Sequence, residues 1–293
     1  MTKYAYFAGC TIPYRVPFFE TALRKVLPEF GLELIDLPFA CCPDPGGAQA
    51  FDSVTWHTLA ARNLCLAEEQ GLDIITACSG CFETLKIVNI QLQEDPKLKK
   101  KVNESLKEVG REFKGTIKVR HFADVLYSDI GLEKISARVT NPLKGMKFAT
   151  HSGCHFLKPP EILQMDNPER PEKLDNLVEA LGAESINYLN KLACCGAGTR
   201  STDQDAAIGI AHEKIVGAEK AGADALVTIC PTCFIQYDVG QKLVAKKFEK
   251  TKMPVFYYAE LLALSMGIDL SDGFKMHSIK VKDFMEKASS PAS

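Results

Sequence analysis

Ten of the eleven cysteines in this 293-residue chain stand in two sets of one form. The first set is Cys10, the adjacent pair Cys41-Cys42, and Cys78 with Cys81; the second is Cys154, Cys194-Cys195, and Cys230 with Cys233. The stretches between successive members are 30 and 35 residues in the first set, 39 and 34 in the second. A chain of this length buries a core without covalent staples, so the thiols point to metal or redox chemistry rather than to disulfides. Three chemistries compete. A structural zinc takes four ligands in a tetrahedron, which leaves one thiol over, and side chains at adjacent positions diverge. A dithiol pair could use Cys78 and Cys81 at a helix start, but Cys10 and the Cys-Cys pair then stay unexplained. An iron–sulfur cluster is larger, and neighbouring cysteines can reach different irons. A regular four-iron cubane asks for four thiolates, so a fifth indicates a bridging thiolate or an unusual shape. Zinc in one set stays open as the alternative. The tightly spaced ferredoxin pattern is absent, so electrons are expected from another protein.

The sequence around the cysteines repeats too. PFACC (38–42) matches KLACC (191–195), DIITACSGCF (73–82) matches ALVTICPTCF (225–234), and HFADVL (121–126) resembles YYAELL (257–262). This is an internal duplication with a seam near Asn141 to Gly145, giving two units, 1–143 and 144–293. Strand-like runs at 4–8, 33–37, 73–77 and 116–119 alternate with helical patterns at 17–29, 53–69, 81–93 and 97–112. In the second unit strands are expected at 146–150, 185–189, 225–229 and 255–258. That alternation predicts α/β: two duplicated Rossmann-like units with parallel sheets, related by a pseudo-twofold. Cys10, Cys78, Cys154 and Cys230 then fall at strand ends and Cys81 and Cys233 at helix starts, where open α/β sheets bind ligands and helix termini favour thiolates. Each set is expected to converge on one pocket.

Composition is that of an ordinary globular chain, 46% hydrophobic and 25% charged, with a net charge of −2. The missing basic excess argues against nucleic acid. No apolar run reaches the 18 or so residues of a spanning helix, and the N-terminus carries no signal segment, so a cytoplasmic protein without membrane insertion is expected. Cys65 reads as a buried apolar residue.

Two copies of this five-cysteine pattern resemble the cysteine-rich CCG domain over nearly the whole chain, and two complete copies alone are most similar to the family of heterodisulfide reductase B subunits of methanogenic archaea. The second copy has Cys194-Cys195-Gly196, while the first reads Cys41-Cys42-Pro43, which alters a turn and removes no ligand. The resemblance implies reduction of the coenzyme M–coenzyme B heterodisulfide to two thiols, the last step of methanogenesis. It implies two noncubane 4Fe-4S clusters, one per five-cysteine set. The implied partners are a small 4Fe-4S-binding C subunit and a large FAD-containing A subunit, coupled to hydrogenase or formate dehydrogenase. The competing reading is a non-catalytic electron-transfer component of a flavin-dependent dehydrogenase of the glycolate, lactate or succinate type.

A substrate bearing sulfonate, carboxylate and phosphate needs cations near the clusters, and Arg15, His155, Lys158 and Arg200 follow ligand positions. His151 and His155 flank Cys154 and could donate to cluster sulfur, although packed histidines are the commoner case. Lys97–Lys101 reads as a solvated helix face, Pro17–Glu29 as a core-packed amphipathic helix, and Tyr188, Tyr257 and Tyr258 as core. The polar end 287–293 is expected to fray.

Overall fold

A computed structural model describes residues 1–244 and 247–289. Eight short strands form two four-stranded sheets: β1 (Thr2–Phe7), β2 (Leu32–Asp36), β3 (Ile74–Thr76) and β4 (Val119–His121), then β5 (Lys147–His151), β6 (Glu184–Ile186), β7 (Ala225–Thr228) and β8 (Val255–Tyr257). The orders are β2-β1-β3-β4 and β6-β5-β7-β8, with every pairing parallel. Both sheets are covered by helices, so their inner strands carry continuous apolar runs: β3 and β7 are buried at every position. The duplicated α/β architecture read from the sequence is the one observed.

Boundaries moved where side chains claimed the backbone. The strand expected at 116–119 begins at Val119, because the Glu68 carboxylate takes the amides of Gly115 and Thr116 and Asp73 takes that of Lys118. The helix expected over 17–29 runs Pro17–Val26, then tightens to a 3-10 turn over Leu27–Phe30 at Pro28 and stops at Gly31, φ +74°. Its apolar face, Phe18, Phe19, Ala22, Leu23 and Val26, is buried. Lys97, Lys100 and Lys101 are exposed, while Tyr188, Tyr257 and Tyr258 are core. Cys65 is buried in the helix Ser53–Glu69, apart from the other thiols. The expected frayed end is helical over its first residues: Lys287, Ala288 and Ser289 close the helix Lys282–Ser289, and Lys287 pairs with Asp224 at 2.5 Å. Residues 290–293 lie outside the described residues. No helix among the described residues is long and apolar enough to cross a membrane.

The halves are fastened by exchange. The helix Ser79–Glu94, which carries Cys81, packs on Cys154–Leu157 of the second half; the helix Pro231–Asp238, which carries Cys233, packs on Thr11–Arg15 of the first. Aromatic rings fill the seam. Phe19 stacks on Tyr257 at 4.0 Å and meets the edge of Phe234 at 4.8 Å, while Phe82 and Phe156 both pack around His121. Tyr257 Oη donates to the Ala77 carbonyl at 2.5 Å across the seam. Its counterpart His121 accepts the Ala123 amide at Nδ1, and its Nε2 has no partner among the described residues.

Candidate metal centre

In each half the order reverses beside the first strand, between β1 and β3 and between β5 and β7, and the cysteines gather at the carboxyl ends there. Cys78 and Cys230 are the N-cap residues of their helices, with almost the same backbone, φ −127° and ψ 122° against φ −128° and ψ 126°. Each donates its amide at 3.3 Å to a threonine hydroxyl two residues earlier, Thr76 or Thr228. Cys81 and Cys233 lie one turn in, so both thiols of each pair face the positive end of a helix. Gly9 and Gly153 border them, and Gly9 makes room for Cys81. Both have positive φ, and a Cβ on Gly9 would stand 2.8 Å from Cys81 Sγ, one on Gly153 3.7 Å from Cys233 Sγ.

The ten thiols form one continuous series of neighbours, each close enough to shift the ionisation of the next. It runs from Cys10 to Cys41, Cys42, Cys81 and Cys78, crosses to Cys230, and continues through Cys233, Cys195 and Cys194 to Cys154. The middle is buried and the rims, Cys10, Cys41 and Cys194, are exposed. Hydrogen bonds from Cys41 and Cys81 pull Cys42 down to about 4. Those from Cys154 and Cys195 pull Cys194 down, and those from Cys233 and Cys78 pull Cys230 down. Their partners Cys41, Cys154 and Cys78 are correspondingly raised. Like charges this close cannot all ionise in a buried site. Ten thiolates here need a cationic core, and the donor set therefore fits iron–sulfur clusters.

One alternative is testable on geometry. A ring nitrogen of His151 and the sulfurs of Cys195 and Cys233 lie within 4.8 Å of one another, a set that could hold zinc. His151 Nδ1, however, accepts from the Lys214 ammonium at 2.9 Å. A neutral ring accepting at Nδ1 carries its proton on Nε2, so the nitrogen left over is a donor and offers no lone pair. Nε2 has no partner among the described residues, and nor does the nearby buried Tyr237 Oη. Unpaired donors beside thiolates suit an anionic group.

Of the residues expected to bind substrate, Lys158 lines a cavity of about 270 Å³ with Cys154, Cys194, His151 and Lys191. Arg15 is exposed beyond Cys10, and Arg200 is half-buried beyond Cys194-Cys195. None of these three forms an ion pair among the described residues. His155 is different: its Nδ1 contacts the Glu83 carboxylate from the other half, and that contact raises its pKa. Sequence reading missed Glu83, Lys214 and Asn63. Asn63 donates to the Cys41 carbonyl at 3.0 Å and accepts the Ala40 amide at 2.9 Å. A signal existed in the paired helices of 17 residues, each opened by an aspartate cap, in which Asn63 and Lys214 fall at the same step.

Two parallel α/β halves, each with five thiols at its switch point, define a duplicated cysteine-rich α/β protein. A model of the cysteine-rich CCG domain matches residues 4–86 and again 148–238, and the chain belongs to that family. It is 40% identical over 292 residues to the B subunit of the Ferredoxin/F(420)H(2)-dependent CoB-CoM heterodisulfide reductase of Methanosarcina acetivorans, covering 98% of this chain and 97% of that one. It is 39% identical to the B subunit of the Ferredoxin:CoB-CoM heterodisulfide reductase of Methanosarcina mazei, with the same coverage. A more distant relative, 28% identical over 94% of this chain and 96% of its own, is the 8-methylmenaquinol:fumarate reductase membrane anchor subunit of Wolinella succinogenes. A crystal structure of a hypothetical protein from Helicobacter pylori superposes with a TM-score of 0.76 at 17% identity, covering 96% of this chain and 53% of that one. That likeness concerns the fold.

Proposed function

We propose that this chain is the disulfide-reducing component of a cytoplasmic CoB–CoM heterodisulfide reductase. In this reading Cys10, Cys41, Cys42, Cys78 and Cys81 hold one noncubane 4Fe-4S cluster, and Cys154, Cys194, Cys195, Cys230 and Cys233 hold another. The observation that carries it is the unbroken thiol series joined at Cys78 and Cys230, which makes two five-ligand sites into one unit. The names of the full-length relatives supply the substrate. Bound clusters would supply electrons singly, and a disulfide needs two, so paired sites match the stoichiometry of the reaction. The chain's own residues hold the substrate and exclude water. Lys158, at the cavity beside Cys154 and Cys194, forms no ion pair among the described residues and offers its ammonium to a sulfonate, carboxylate or phosphate. Arg15 and Arg200 follow Cys10 and Cys194-Cys195 in the chain and form no ion pair among the described residues, and His155 is held in place by Glu83. A small 4Fe-4S-binding C subunit and a large FAD-containing A subunit, fed by hydrogenase or formate dehydrogenase, would deliver the electrons.

The test is anaerobic purification with iron, sulfide and zinc analysis, followed by assay with a reduced viologen. About eight iron and eight sulfide per chain, with turnover of the heterodisulfide, are expected. About four iron with one zinc would leave one half redox-inactive and end the paired-site reading. A second reading, an electron-transfer component of a flavin-dependent dehydrogenase, is favoured by the Wolinella relative. It predicts eight iron, no heterodisulfide turnover, and cluster oxidation by a menaquinone analogue.

A further inference from the structure

The two sites carry the same five thiols on equivalent elements but not the same charge beneath them. Counting back from Cys10 and Cys154, Phe7 and His151 occupy one position, and strand register confirms it: Phe7 pairs with Thr76, His151 with Thr228. Counting from the caps Asp52 and Asp203, Asn63 and Lys214 occupy another. All four are buried. The first site therefore rests on a hydrocarbon ring and a neutral amide, the second on an imidazole and an ammonium.

Lys214 is fully buried, donates to His151 Nδ1 at 2.9 Å and to the Lys191 carbonyl at 2.8 Å, and stands over the Tyr188 ring at 5.8 Å. No carboxylate among the described residues pairs with it. A lysine buried without a counter-ion is costly: burial pushes its pKa down to about 8, and the negative charge that opposes this comes from the thiols Cys233, Cys195, Cys194 and Cys154. His151 Nε2 and Cys233 Sγ both border the space beside Gly153, and the proton on Nε2 has no acceptor among the described residues. Positive charge and hydrogen bonds to cluster sulfur both favour the reduced state. The extra exposure of Cys10 at the first site works in the opposite direction, but it acts through solvent, whereas the ammonium acts through the interior, where screening is weak.

We propose that Lys214 and His151 form a buried cationic relay that hydrogen-bonds the second cluster and raises its reduction potential above that of the first, making it the electron sink of the pair. This rests on the reading that both sets hold iron–sulfur clusters. Neither residue is a ligand; they are positioning and tuning residues.

The test is a mediated dithionite titration of the anaerobic full-length protein, followed by electron paramagnetic resonance. Two couples are expected, the more positive one absent from Cys195→Ser. Lys214→Met should change the oxidised-to-reduced ratio of that couple about tenfold at fixed potential, about 59 mV for one electron, and leave the other unmoved. Lys214→Arg should restore it. His151→Phe, which installs the first half's residue, should shift the same couple and abolish an exchangeable-proton coupling. Full iron with unshifted couples, or equal shifts in both, overturns the proposal. So does loss of second-site iron in both Lys214→Met and His151→Phe, which would make the pair structural. Wild-type protein lacking one cluster would instead refute the two-cluster reading itself.

Discussion

Asn63 and Lys214 sit at the same step of two helices of equal length, and both tie down the strand of chain that presents a Cys-Cys pair. One does it with an amide that only holds the loop, the other with an ammonium that also reaches a histidine. The same divergence recurs at the seam. Asp124 and Glu260 are equivalent in HFADVL and YYAELL, but Asp124 is held by Arg120 at 2.9 Å and Lys173 at 2.6 Å, whereas Glu260 is held by His277 at 2.9 Å. Duplication thus preserved the thiols and the backbone that aims them. It left free the buried polar positions behind them, where a charge changes electrostatics without moving a ligand.

The sharpest way to break the comparison is at the thiols. Cys42→Ser and Cys195→Ser should each lower iron and sulfide from about eight to about four per chain and abolish disulfide turnover. Complete loss of iron in either variant would mean that the sites form as one through Cys78 and Cys230. Next come the rings of the seam. Phe19→Ala and Phe82→Ala, both fully buried, should each cost about 3–5 kcal/mol, read as a lower denaturation midpoint. A loss below about 1 kcal/mol at either position would show that the halves stand without that exchange.

A smaller effect separates the two glycines. Gly9→Ala drives a Cβ against Cys81 Sγ and should lose first-site iron. Gly153→Ala meets ordinary contact, and its φ of 84° and ψ of 152° should cost about 1–3 kcal/mol of stability with iron retained. Equal iron loss from both would remove the distinction. The least effect is in pH. Burial lowers the His277 pKa, but the Glu260 carboxylate outweighs it and the net shift is upward. Its contribution is therefore full below the ordinary histidine value of about 6.5 and fades as pH rises through the higher folded value. Burial raises Asp124, but Lys173 and Arg120 carry it below the usual range. Its contribution is held above about 3.9 and fades only as pH falls through the lower folded value. Thermal midpoints should decline on the alkaline side in the wild type and lose that slope in His277→Gln. An unchanged slope would place the titration elsewhere.

The cysteine pattern, the duplication, the parallel α/β class and most strand positions were legible in the sequence because they are local or periodic. Cysteine spacing, alternating strand and helix, and aspartate caps need no knowledge of the other half. Two classes of fact were not legible. The start of β4 was set by Glu68 and Asp73 capturing backbone amides far along the chain, which no propensity records. The pairings Glu83 with His155, Tyr257 with Ala77 and Lys214 with His151 join residues 72, 180 and 63 positions apart. Lys214 is a charged residue on the buried face of its helix, and only packing shows that it is desolvated. The sequence by itself thus determined which atoms could bind metal and on which strand ends they stand. Tertiary structure alone decided that the two sets of thiols come together at Cys78 and Cys230 and that, among the described residues, a buried ammonium lies behind the second set, because proximity and desolvation depend on what folds against a residue rather than on the residue itself.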